Sequence, residues 1–106
     1  MYSIRKYITP DGRIPFDEWI NTIKNPKDKA RILKRLDKVH LGILGDWASV
    51  GVGVFELREH FGKGYRIYYG METQTVILLL CGGDKSTQSK DIKNAKRYWQ
   101  DFTKGN

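Results

Sequence analysis

The chain has 106 residues, 40% of them hydrophobic, with 19 Lys and Arg against 12 Asp and Glu and a formal net charge of +7. A globule of this size buries roughly 65% of its unfolded surface, so one domain spanning residues 1–106 is expected and a second core is excluded. The longest apolar run, Val76 to Cys81, is far short of the roughly 20 residues of a membrane helix, and MYSIRKYI lacks a leader's apolar centre, so a cytoplasmic protein without a membrane partner is expected.

Ser3 to Thr9 alternates as a strand and is stopped by Pro10-Asp11-Gly12, a turn tripeptide. Pro15 suits a first helical turn, Asp17 and Glu18 suit the positive end of a helix dipole, and Phe16, Trp19, Ile20 and Ile23 follow the i, i+3, i+4, i+7 pattern. Asn25-Pro26 breaks that helix, and a longer one is expected from Lys27 to about Leu44, ending near Gly42 or Gly45. Its outer side carries Lys27, Arg31, Lys34 and Lys38 at spacings that align them, a basic ridge with too few interspersed acids to neutralise it. Such a ridge is either a solvated face or a contact for nucleic acid or the ribosome.

From Val52 the period changes to two, with Phe55, Leu57 and Phe61 on one face and Val54, Glu56, Arg58 and His60 on the other. Gly62-Lys63-Gly64 reads as a hairpin turn, with Lys63 a further candidate RNA contact, and Tyr65, Ile67 and Tyr69 continue the apolar face beyond it. A three-residue loop places His60 opposite Arg66 and Arg58 opposite Tyr68. Gly70 to Gln74 turns the chain again, and Val76 to Cys81, apolar on both faces, reads as a strand covered on both sides. Cys81 is one more small hydrophobe in it; as the lone cysteine it allows no internal disulfide. Lys90 to Thr103 is expected as a closing helix, with Ser89 as N-cap and Ile92, Ala95, Trp99 and Phe102 inward. The order, β-α-α-β-β-β-α, is an α+β domain with an antiparallel sheet and helices mainly on one of its faces.

Glu56, Arg58, His60, Arg66 and Tyr68 fall on one sheet face. They form either an ordinary ion-pair surface or the groups that RNA cleavage uses: a base for the ribose 2′-OH, fixed cations for the phosphate, and an acid for the departing oxygen. The run LLLCGGDKSTQ ends the most apolar strand in dense polar groups, with Gly82 and Gly83 expected to give the backbone conformations closed to other residues. It is not a phosphate loop, because Asp84 and Leu79 stand where that motif requires glycine. His40 and His60 lie on different elements with no clustered cysteines, so neither a metal nor another cofactor is expected.

Taken together, DGRIPFDEW, VFELREHFGKGYRIYYG and LLLCGGDKSTQSKDIKNAKRYW resemble the RelE/ParE superfamily of bacterial type II toxins, most closely its HigB-like or phage-derived addiction module killer protein branch, over nearly the whole chain. The resemblance implies a RelE-like fold and a small toxin neutralised by a cognate antitoxin, commonly a helix-turn-helix, HigA-like protein that brings the pair to operator DNA. It also implies metal-independent mRNA cleavage on the ribosome by 2′-OH attack. Arg58 and Arg66 match basic positions of the family's central strands, and Lys85 matches the lysine of its GGDKS motif. The roles expected are Glu56 or His60 as base, Arg58 and Arg66 as phosphate clamps, Lys85 as transition-state cation or proton donor, and Tyr68 to stack or orient. The chain lacks the catalytic tyrosine that RelE proteins carry near the C-terminus, Tyr98 being on a helix beside Trp99. A ParE-like gyrase poison, and a regulator acting only through an antitoxin–operator complex, are the alternative functions.

Overall fold

The computed structural model describes residues 1–105. Its elements are β1 (Ser3–Lys6), α1 (Pro15–Ile20), α2 (Pro26–His40), β2 (Trp47–Gly51), β3 (Val54–Arg58), β4 (Arg66–Met71), β5 (Val76–Gly83), a 3-10 turn (Lys85–Thr87) and α3 (Gln88–Lys104). The strands form one sheet in the order β1-β5-β4-β3-β2, an α+β architecture. Among the described residues no helix is long and apolar enough to cross a membrane.

The sheet is mixed where an antiparallel one was expected, because β1 runs parallel to β5, Ser3 facing Val76 and Lys6 facing Leu79. A parallel neighbour needs a long crossover, and the chain between β1 and β5 supplies it. β5 therefore lies between β1 and β4, buried on both faces as its unbroken apolar run implied. A fifth strand, β2, precedes the stretch read as the start of β3. The β2–β3 turn runs through Gly51, Val52 and Gly53, all with positive φ (101°, 47° and 85°).

The helices cover both faces, not mainly one. Phe16 and Ile20 of α1 and Ile32 and Val39 of α2 pack with Leu57, Ile67, Tyr69, Ile77 and Leu79. Val54, Tyr68, Leu78 and Leu80 point the opposite way and pack with Ala95, Ile92 and Trp99 of α3. Each such side chain is worth about 1.5–3 kcal/mol when fully buried, so an uncovered second face would forfeit several of these contributions. Gly70 is part of β4, not of a turn: an added Cβ would stand 2.4 Å from the Trp99 ring.

Several boundaries also differ. β1 ends at Lys6, short of Thr9, because the chain turns through bonds between Thr9 and Arg13, and α1 ends at Ile20, leaving Ile23 beyond the helix. α2 ends at His40, and α3 is led in by the 3-10 turn, whose N-cap is Asp84 in a reciprocal box with Thr87, so Ser89 lies inside the helix. The β3–β4 loop occupies Glu59 to Tyr65, which sets Arg58 opposite Arg66 and Glu56 opposite Tyr68 and leaves His60 outside the ladder. Gly82 and Gly83 are extended strand residues. Their function is close approach, since a Cβ on Gly82 would meet Trp19 at 2.2 Å and one on Gly83 would collide with Asp91.

Candidate functional site

The strand register assembles a row of polar residues across one end of the sheet. Arg58 N–H donates to the Asp46 carbonyl (2.9 Å), Arg58 faces Arg66, and Arg66 faces Gly83, after which come Asp84 and Lys85. With strands about 4.8 Å apart, the row from Asp46 to Gly83 is roughly 14 Å wide.

Its inner part is buried. The Glu56 carboxylate is 6% exposed and accepts from Gln88 Nε2 (3.4 Å), with Arg58 Nη1 at 3.9 Å and Arg66 Nε at 4.0 Å. Arg66 donates through Nη1 to the carbonyls of Glu59, Gly64 and Tyr65 (3.2, 3.1 and 3.0 Å). The guanidinium thereby closes the β3–β4 loop on itself, and its Nε has no hydrogen-bond partner. Tyr68 is fully buried in the core under α3, and burial, with the Glu56 charge adding to it, pushes its phenol well above the ordinary value. Arg66 and Tyr68, expected to clamp phosphate and to stack, thus have no open surface in this conformation.

The outer part is open to solvent and is organised by Asp46, a residue the sequence reading passed over. Asp46 Oδ1 accepts from Arg58 Nε and Nη2 (3.1 and 2.7 Å), and Oδ2 accepts from His60 Nε2 (2.6 Å). These two contacts, the arginine's first, pull the Asp46 carboxyl down to about 2. The carboxylate is therefore ionised and an acceptor only, so His60 Nε2 carries its proton and Nδ1 is the nitrogen that can take another. Asp46 is held in turn by Arg35 of α2, which donates to the carbonyls of Asp46 (2.8 Å), Leu44 (2.7 Å) and Arg58 (2.9 Å) and pairs with Glu59 (2.5 Å). Only the β2–β3 register, Trp47 facing Leu57, brings Asp46 beside Arg58.

Lys85 lies at the other end of the row, exposed, its stem packed on Gly64 where a Cβ would stand 2.8 Å from its carbons. Lys63 is exposed in the adjacent loop. Lys27, Arg31, Lys34 and Lys38 are all exposed on α2, and Arg31 stacks on the Phe61 ring (3.8 Å), tying the ridge to the loop that carries His60. Cys81 is buried, and that burial raises its thiol to about 12, the Asp91 charge adding to it. Among the described residues no three His, Cys, Asp or Glu side chains converge as a metal site.

Two comparisons bear on the chain's family. A Haemophilus influenzae protein described as uncharacterized is 47% identical over 89 residues, covering 84% of this chain and 90% of its own. The family described as "Phage derived protein Gp49-like (DUF891)" matches residues 18–100, which takes in the whole polar row and the basic ridge. The chain belongs to this Gp49-like family, a phage-derived, toxin-like group allied to the RelE and addiction-module killer toxins.

Proposed function

We propose that the chain is the toxin of a type II toxin–antitoxin pair, of the HigB-like kind, and that it cuts mRNA on the ribosome. The observation that carries this reading is the Asp46 bridge, which fixes a guanidinium and an imidazole side by side on an exposed rim. His60 Nδ1 takes the proton of a ribose 2′-OH as that oxygen bonds to the neighbouring phosphorus. The P–O5′ bond breaks, and the departing oxygen takes a proton from solvent water, leaving a 2′,3′-cyclic phosphate and a 5′-hydroxyl, while Lys85 holds a neighbouring phosphate at the far end of the row. Arg58 meets the charge that develops on the phosphate. Glu56, buried among Arg58, Arg66 and Gln88, is a positioning residue in this scheme, and His60 is preferred to it as base because the imidazole is 66% exposed and the carboxylate 6%.

The basic ridge of α2 docks on ribosomal RNA, and a helix-turn-helix antitoxin neutralises the protein and carries it to operator DNA. The test is to induce the chain briefly without an antitoxin and map new mRNA 5′ ends. Frame-dependent cuts inside translated codons that vanish with Lys85→Ala are expected. Growth arrest with intact mRNA and gyrase-linked DNA breaks would assign the chain to the poisons instead.

A further inference from the structure

A cleft of about 460 Å³ opens beside the polar row, between α1, the start of α2 and the β3–β4 loop. Its lining includes Trp19, Asn25, Asp28, Lys63, Tyr65 and Asp84. We propose that it is a base-reading pocket for a guanine of single-stranded RNA. This deepens the nuclease reading and rests on it for the identity of the polymer.

The walls are fixed by packing. Trp19 lies flat on the β5 backbone in space that only a glycine at 82 leaves, with its edge toward Tyr65 (6.3 Å, 66°). Asp28 fits beside Gly62, where a Cβ would stand 2.8 Å from Oδ2, and that same oxygen accepts the Tyr65 hydroxyl (2.8 Å), leaving Oδ1 without a hydrogen-bond partner among the described residues. Asp84 is held by the Ser86 N–H (2.8 Å) and hydroxyl (2.5 Å), and these bonds keep its carboxyl below the ordinary value. Asn25 spends its carbonyl oxygen capping α2, at Lys27 N–H and Asp28 N–H, so its amide NH₂ is the group left for a ligand.

Two anchored carboxylates and one amide donor line the cleft together with two aromatic rings. The Watson–Crick edge of guanine presents the complement: N1–H and N2–H₂ as donors and O6 as acceptor. Uracil and cytosine each offer one donor and two acceptors there, and adenine one of each, so each would leave a carboxylate opposite an acceptor or unpaired. Lys63, exposed at the same cleft, and Lys24, also in its lining, supply charge for the nucleotide's phosphate.

The probe is the set of four free nucleoside monophosphates, titrated into the purified protein while the Trp19 indole N–H and the Lys63 amide are followed by NMR. GMP is expected to shift both signals and to bind about tenfold more tightly than AMP, CMP or UMP, the discrimination of one bidentate pair. Asp28→Asn keeps an acceptor for Tyr65 but presents a donor to the base, so the preference is expected to fall to near unity. Asp84→Asn, which keeps its capping oxygen, is the second variant should the first fail to fold. Equal binding of all four nucleotides, no binding at millimolar concentration, or a GMP preference intact in both folded variants would overturn the assignment. GMP selectivity in a protein that cuts no RNA sinks the nuclease reading alone. RNA cutting without GMP selectivity sinks the pocket alone.

Discussion

Arg58 and Arg66 face each other across β3 and β4 and carry the same side chain, yet they do opposite work. Arg66 is 7% exposed at its side chain and spends Nη1 on three carbonyls of its own loop; Arg58 is 36% exposed and bonded to one carboxylate on the rim. A buried cation has to be paired and hydrogen-bonded because its desolvation is costly, whereas an exposed one keeps its hydration and remains available to a partner. Position along the row, not residue type, therefore separates the part that builds the site from the part that can act.

The strongest way to break this contrast is to truncate both arginines. Arg66→Ala unties the Glu59–Tyr65 loop and leaves Glu56 without its closest buried countercharge, so a loss of about 3 kcal/mol is expected, lowering Tm by more than ~10 °C. Arg58→Ala is expected to leave the melting temperature nearly unchanged while cutting toxicity about 100-fold. Melting curves and growth arrest on the same two proteins decide it. Equal melting temperatures would remove the distinction.

A subtler probe sets the buried core against the rim by pH. Burial, the first cause in each case, raises Tyr65, Tyr69 and Cys81 to about 12 from ordinary values of 10.0, 10.0 and 9.0. A group with a raised folded value stabilises the fold below its unfolded value, and that contribution is lost as pH rises toward the folded one. Stability is thus expected to decline between pH 9 and 12, with Cys81→Ala flattening the onset. Asp46, held at about 2 from 3.8, acts in the opposite sense, favouring the fold above 3.8 and losing that effect as pH falls toward 2. Urea midpoints taken at one-unit steps check both arms, and a flat alkaline arm contradicts the assigned burial.

The smallest expected change in stability comes from the ridge. Replacing Lys27, Arg31, Lys34 and Lys38 together by Gln should alter stability little, the Arg31–Phe61 stack contributing about 0.5–1 kcal/mol at most. Ribosome co-sedimentation by the same variant should weaken and lose its steep salt dependence. Unchanged binding across a salt series would make the ridge a solvated face.

What was legible in the sequence were features that repeat locally. The i, i+3, i+4 pattern gave α1 and α2, and the inward residues of α3 were found from the same periodicity. The alternation Phe55, Leu57 against Val54, Glu56 placed the right side chains on the right faces of β3. Pairing at long range was not legible. The parallel β1–β5 contact joins residues more than 70 positions apart, and β2 is obscured by an exposed Trp47 and by the glycines of its turn. Asp46 went unnoticed for the same reason: an isolated acid after Gly45 acquires its meaning only from a partner twelve residues on. Arg66 is expected as a clamp from its place on the polar sheet face and its match to a basic position of the family's strands, and only the loop geometry, with three carbonyls converging on one nitrogen, explains a buried guanidinium there.

The central claim is that the exposed Asp46–Arg58–His60 rim performs chemistry on RNA. Its most direct test is to incubate purified protein with mRNA-programmed ribosomes and read the new RNA ends for the wild type and His60→Ala. The account predicts 5′-hydroxyl and 2′,3′-cyclic phosphate ends from the wild type, and cleavage slowed about 100-fold in a His60→Ala protein that melts as the wild type does. Intact mRNA with the wild type, or equal cleavage by the two proteins, would contradict it.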